Sequence, residues 1–376
     1  MIYDTVIIGA GISGAAAAYE LGSHGTVAII EAESSPGYHS TGRSAALFTR
    51  NFGGPVVQRI NQASHGFFQS PPAGFCDTPL LTSRGLLTVA LPGDTEKLAP
   101  ILAQSIKAAP VEMLSAAQVL EMAPLLRPDC VEAAAFESDV TDIEAATLHQ
   151  AFLQAVKRRG GLIACSLRID GITRKDGLWR VTAQGEAMMG KTLINAAGAW
   201  ADQVAIMAGA APVQLVAKRR TAIIVDPPQH IVPTRLPAMD FADCDGYIKP
   251  EAGRLMASPG DETPVEPQDV QPEEWDVAVL ADWLQKRTLI EVRRIEHSWA
   301  GLRTFAADDA PVVGYDPDIE DFFWLAGQGG CGIMMAPALG RATAGLIANG
   351  TLPDELLSLG VTKQDLAPDR FGPKRN

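Results

Sequence analysis

A two-domain α/β architecture is predicted for this 376-residue chain: a Rossmann-like, doubly wound sheet interrupted by a second domain built on a mixed α+β sheet. Three observations predict it. The chain opens with an apolar strand, a glycine turn and an alanine-rich helix, DTVIIGAGISGAAAAYEL. Two later segments, LINAAGAW (193–200) and FFWLAGQGGCGIMM (322–335), repeat the order of apolar strand and glycine turn. Between them the pattern changes to short strand-like runs separated by turns.

Taken in order, the first unit reads as a strand over 4–8, a helix over 12–24 and a strand over 26–30. Uninterrupted apolar strands such as VII and VAII belong in a parallel sheet covered on both faces. Strand-like runs follow at 86–91, 221–226, 246–250 and 254–258, with helical stretches near 94–108 and 273–289. Segment 145–165 reads as an amphipathic helix and then a strand, returning the chain to the first domain. The proline- and acid-rich stretch 261–276 reads as a solvated loop. The resulting division places 1–80, 141–214 and 295–376 in a discontinuous cofactor domain, and 81–140 and 215–294 in a substrate domain. No internal repeat is visible.

Composition excludes several classes. At 47% hydrophobic and 20% charged, the chain buries a large core, and its length suits two domains. A net charge of −13 argues against a nucleic acid or an anionic membrane as partner. Five scattered cysteines with no C-x-x-C pair suggest neither a disulfide framework nor zinc, and fit a reducing, cytoplasmic setting. No leader-like start and no apolar run of ~18 residues is present, so no integral membrane protein is expected. The six histidines form no H-x-x-H set, so no metal is expected.

In G-x-G-x-x-G the first glycine makes the bend, the second admits a pyrophosphate and the third lets helix pack on strand. Gly9, Gly11 and Gly14, with Ile12 and Ser13 between them, stand in that strand–turn–helix context. Glu31 ends the next strand, where a carboxylate takes the hydroxyls of an adenosine ribose. A dinucleotide is therefore expected. The two further glycine turns favour FAD over NAD, since a helix beginning near Gly332 directs its positive end at a flavin. Such turns also serve as ordinary strand–helix connections.

The segments PGYHSTGRSAA (36–46), PPAGFC (71–76), NAAGAW (195–200), KRR (218–220), AGLR (300–303) and QGGCGI (328–333) carry a resemblance. They resemble the D-amino-acid oxidase and glycine oxidase family of flavoproteins, and within it the bacterial FAD-dependent D-arginine dehydrogenase group. The resemblance implies non-covalent FAD and oxidation of the Cα–N bond of a D-amino acid, with a quinone, another carrier or oxygen as electron acceptor. It implies that Ser40, Thr41, Gly42, Arg43, Ser44 and Ala45 run along the cofactor. Ile169 falls at the adenine, and Ala197, Gly198 and Trp200 in the middle turn. Gly301 lies in the AGLR segment, while Gln328, Gly329, Gly330, Gly332 and Ile333 form the last turn. Arg220 and Arg303 match a pair that clamps the substrate carboxylate, helped by Tyr247.

The chain departs from the D-arginine group at three pocket positions, with Leu47 for a histidine, Phe52 for a tyrosine and Leu86 for a glutamate. All three changes remove polarity, so a neutral or apolar side chain is expected. Asp240 is a candidate substitute anion and Arg50 a candidate site for a second carboxylate. Both are loop-type charges for which solvent exposure is the ordinary expectation. Glycine, sarcosine, another secondary amine, a dicarboxylate or a hydroxy acid are the alternative substrates, and a flavin-binding electron-transfer subunit is the non-enzymatic alternative.

Overall fold

The structure, a computed structural model, describes residues 1–372. Its first sheet has eight strands among those residues. Ile2–Ile8 lies between Val27–Ile30 and Glu186–Asn195, parallel to both, and Leu162–Ala164 extends the parallel run. Phe322–Ala326 pairs in parallel with the far end of Glu186–Asn195, from Leu193↔Phe322 to Asn195↔Trp324. The uniformly apolar runs are the buried ones: Val6, Ile7, Ala28 and Ile29 are all closed to solvent. Helix Ile12–Leu21 stops short of the expected end, because Gly22 turns the chain and the N–H groups of His24 and Gly25 return to the Leu21 carbonyl. Its alanines serve a close helix crossing. A Cβ on Gly340, in helix Gly332–Asn349, would lie 2.9 Å from the Ala16 carbonyl oxygen.

The second sheet has nine strands among the described residues and is mixed: Ala238–Phe241 runs parallel to Leu86–Ala90, and the other pairings are antiparallel. Two differences from the sequence reading have local causes. The stretch 94–108 yields only a 3-10 turn and the short helix Ala99–Ala103, since Pro110 restricts the residue before it and Ser105 Oγ takes the Val111 N–H. Strand His297–Phe305 pairs with Val216–Val225 over its whole length, so the mixed sheet continues past residue 295, where a return to the cofactor domain was expected.

Alternation sorts this sheet into two faces. Ile223, Val225, Ile248 and Leu255 pack with Leu280 and Leu284 of helix Glu274–Arg287. Their neighbours Arg220, Tyr247, Asp240, Thr88 and Glu137 therefore share the opposite face, which meets the first sheet's turns. There Glu137 Oε1 accepts the Thr49 hydroxyl at 2.7 Å, and a Cβ on Gly301 would lie 3.2 Å from the Arg43 Cβ. This face carries acid at a cost. Burial raises the Asp240 carboxyl to about 6, Thr88 partly offsets the rise, and Glu137 adds to it.

Two predictions follow from packing and burial. A Cβ on Gly14 would sit 2.0 Å from the Gly9 carbonyl oxygen, so Gly14→Ala lowers stability by about 1–3 kcal/mol or more in thermal unfolding. Asp240 binds its proton more tightly folded than unfolded, so its contribution falls as pH rises from about 4 to 6 and levels off above. Asp240→Asn removes that titration. Its stability relative to the parent rises over this window by an amount on the order of 3 kcal/mol, read from denaturant melts at pH 4 and pH 8; a flat difference contradicts it.

Candidate active site

The first strand ends at Gly9, whose φ of +103° suits glycine, and a Cβ there would strike the Ala196 carbonyl oxygen at 2.4 Å. The opening turn of the helix at Ile12 leaves N–H groups without intrahelical acceptors. One of them, Ile12 N–H, donates to Thr41 Oγ1 at 3.0 Å, fastening the glycine turn to the 3-10 turn Ser40–Arg43. Glu31 accepts from the N–H groups of Ala10 (2.8 Å) and Glu33 (2.9 Å) and lines the cleft between these turns, as does Ile169. His149, which sequence reasoning passed over, is buried and kept neutral by its burial. Its Nε2 lies 2.8 Å from the Ala10 carbonyl oxygen, which accepts only, so Nε2 carries the proton and props the turn from behind. The available signal was a histidine at a core-facing position of an amphipathic helix.

The cleft continues past Ala197, Gly198 and Trp200 to Gly301 and the last glycine turn, with Gly329, Gly330, Gly332 and Ile333 along it. Gln328 Oε1 accepts the Ser13 hydroxyl at 2.7 Å, whereas its Nε2 is buried without a hydrogen-bond partner. Such an unsatisfied donor costs about 1–3 kcal/mol, which a polar ligand edge removes. With helix Gly332–Asn349 presenting its positive end, the site fits a dinucleotide carrying a flavin. Gly14, Gly42 and Ala45 lie behind this lining: Gly14 packs on Gly9, Gly42 N–H donates to the Gly37 carbonyl, and the Ala45 carbonyl accepts Lys249 Nζ at 2.8 Å. Ser44 lines the cleft and takes the Ala46 N–H. Arg43 also lines it, while its guanidinium reaches the Ala300 carbonyl (2.9 Å) and Asp269 (2.5 Å). Cys331 is buried, and burial pushes its thiol up to about 12, so no thiolate forms at neutral pH.

Both candidate clamp residues reach the cleft wall. The register Arg220↔Gly301 and Lys218↔Arg303 places Arg220 and Arg303 on one face of neighbouring strands. Arg220 donates from Nε to the Asp261 carbonyl (2.8 Å) and from Nη2 to Glu262 Oε1 (2.9 Å). Burial, and then the Arg303 charge, pull it below the usual arginine value. The Arg303 guanidinium, by contrast, makes no hydrogen bond or ion pair among the described residues, while its backbone lies in the ladder opposite Lys218. Glu262, which also holds Lys218 Nζ at 2.6 Å, sat in a segment read as solvated loop, and its role needed the tertiary contact.

The remaining pocket candidates stand off the cleft. Tyr247 and Asp240 are cross-strand partners on the shared face, and Leu86 is opposite Glu137. Leu47 pairs with Asp142, and Phe52 is 52% exposed. Neither charge expected in solvent is there. Arg50 is ion-paired with Asp139 at 2.8 Å and donates to the Ala108 carbonyl, while Asp240 Oδ1 is closed off without a partner.

Comparison with known proteins adds a family to this geometry. Mitochondrial sarcosine dehydrogenase of Mus musculus is 22% identical over 267 residues, 67% of this chain but only 29% of that protein's length. Glycine oxidase of Bacillus licheniformis is 25% identical over 368 residues, covering 94% of this chain and 95% of the relative. The crystal structure of L-proline dehydrogenase from P. horikoshii superposes with a TM-score of 0.82 at 22% identity, covering 98% of each chain, a likeness of fold. Residues 4–346 match the family model described as FAD dependent oxidoreductase, DAO. A match over nearly the whole chain, on a structure that sets the glycine turn, Glu31 and the start of helix Gly332–Asn349 around one cleft, makes this protein a member of the DAO family of FAD-dependent oxidoreductases.

Proposed function

We propose that this FAD-dependent enzyme oxidises the Cα–N bond of a free D-amino acid, giving an imino acid that water converts to a 2-oxo acid and ammonia. The observation that carries the reading is Arg303. A guanidinium without a protein partner, beside a second one on the same wall of a flavin cleft, lacks only an anion. A carboxylate between Arg220 and Arg303 relieves their mutual repulsion and accepts forked hydrogen bonds, which fixes the direction of the Cα–H bond. FAD, when bound, supplies the acceptor for the hydride. The residues of the chain bind and orient: Glu262 and the Asp261 carbonyl steady Arg220, and Gln328 offers an amide donor to the cofactor edge. The substrate amine has to be neutral for its lone pair to assist, so the rate rises with pH through the ammonium ionisation. The D configuration rests on the resemblance to the D-arginine dehydrogenase group. Half-buried Leu47 and Leu86 support a side chain that is apolar along its length.

A second reading, oxidation of glycine or an N-methylated glycine, draws support from the near full-length similarity to a glycine oxidase. Both are tested by adding each amino acid, of either hand, and sarcosine to the purified protein without oxygen and following the flavin absorbance. Bleaching by a D-amino acid and not by its L form supports the first reading, bleaching only by glycine or sarcosine supports the second, and no bleaching defeats both.

Two further outcomes are expected. Arg303→Ala lowers kcat/KM by about 2–5 kcal/mol, the scale for truncating one partner of a buried charge pair, while flavin content stays the same. Undiminished turnover of a carboxylate-bearing substrate removes Arg303 from the clamp. Acid precipitation releases the flavin into the supernatant, because the buried Cys331 remains a thiol; flavin retained in the pellet contradicts non-covalent binding.

A further inference from the structure

Asp240 is a half-buried acid, its Oδ1 closed to solvent, that the proposed reaction does not use. Register fixes its place: Ser258, Tyr247, Asp240 and Thr88 lie opposite one another across four strands, on the face that carries Arg220. Three strand spacings, roughly 14 Å, separate the Arg220 strand from the Asp240 strand. The Arg220 side chain shortens that span from one end, and the remainder suits an extended side chain rather than a methyl group. Leu86, two residues before Thr88 and half-buried, gives the span an aliphatic wall.

The far end is acidic and lacks a cation. Asp240 is bonded by Thr88, yet its Oδ1 is shut off from solvent with no partner. Glu137 stands opposite Leu86 on the same face, only 7% exposed, with Oε1 taken by the Thr49 hydroxyl. Every cation close by is engaged elsewhere. Lys249 Nζ is bound to the Ala45 carbonyl and Glu251, Arg84 to Asp142, and Arg50 to Asp139. Unpaired buried carboxyls of this kind are costly unless a partner arrives from outside the fold.

We propose that Asp240 is the specificity-determining residue for the far end of the substrate, accepting a hydrogen bond from a donor that terminates an extended, otherwise apolar side chain. The inference rests on the amino-acid reaction proposed above. It replaces the wholly apolar pocket expected from Leu47, Phe52 and Leu86, because Phe52 is half exposed and acid flanks Leu86. Two neighbouring acids, neither in an ion pair, favour a cationic donor over a neutral amide.

The test uses the flavin-loaded enzyme and anaerobic flavin reduction by Lys, Arg, Gln and Leu in both hands. In the parent, kcat/KM for Lys or Arg exceeds that for Leu at least tenfold, with Gln between. Asp240→Leu inverts the order, and Asp240→Asn keeps Gln while losing at least tenfold on the cations. Flavin content and thermal midpoint establish that the variants fold. If Leu is the best substrate of the parent, or if neither variant changes the ranking, Asp240 does not read the side chain, although amino-acid oxidation stands. If no amino acid reduces the flavin, the reaction and this inference fall together.

Discussion

The join between the two sheets rests on three backbone carbonyls that accept from side chains of the opposite element. Ser40 Oγ donates to the Leu302 carbonyl at 2.6 Å, Arg43 Nη1 to that of Ala300, and Lys249 Nζ to that of Ala45. Together they clamp the turn beside the cleft against strand His297–Phe305 and strand Cys244–Glu251 of the same sheet. The turn has little freedom left: Ala46 adopts a φ of +53°, sparsely populated for a residue with a Cβ, and its carbonyl accepts the Ile143 N–H. Strain of this sort persists where surrounding contacts over-determine it. The consequence is functional. The arginine-bearing face of the mixed sheet is held at a fixed distance from the glycine turn across the cleft.

Charge is distributed along that face with a purpose the net figure hides. The chain is acidic overall, yet Arg220 and Arg303 both line the cleft, with Lys218 beside Glu262 and the carboxylates of Glu262 and Asp261 close to Arg220. Some strands away, Asp240 and Glu137 sit without cations. In a medium of low effective dielectric these separated ends make a strong internal field, positive beside the start of helix Gly332–Asn349 and negative toward the distal strands. A zwitterionic ligand aligned with that field is favoured over its reverse. The same field disfavours a second carboxylate at the distal end, and Arg50 does not rescue one, because Asp139 already neutralises it.

What the sequence disclosed was local in origin. Gly9, Gly11 and Gly14 are legible because the bend, the close approach and the helix packing all arise within one strand–turn–helix unit. The apolar strands are legible because full burial removes alternation. The remainder depended on contacts between distant segments. Strand His297–Phe305 contains AGLR and looks like part of the returning cofactor unit, but its hydrogen bonds go to Val216–Val225. Strand Ala133–Glu137 carries little strand signal in its alanines, and Val111–Ser115 is a short run beside it; only the pairing of Ala133–Glu137 with both Leu86–Ala90 and Val111–Ser115 makes them a sheet. Asp240 and Arg50 were expected in water since their neighbours look like loop; burial of a charge is decided by what packs over it, which no local pattern records.

The places where charge and burial disagree are also those where the chain departs from its own rules. Elsewhere buried ions are paired: Arg219, 7% exposed, meets Glu273 and Asp276, and Lys249 meets Glu251. Arg303, Gln328 Nε2 and Asp240 Oδ1 are left incomplete, and all three belong to the cleft wall or to the sheet face that continues it. Other buried polar atoms, Asn61 Oδ1 and Trp283 Nε1 among them, also lack partners, but these three share one cleft wall and the face that continues it, and leaving them open makes the fold less stable than closing them. Such departures concentrate where a ligand completes the structure. A carboxylate on Arg303, a cofactor edge on Gln328 and a donor on Asp240 would each remove a desolvation penalty those groups carry, so ligand and cofactor binding should stabilise the fold as well as start the reaction.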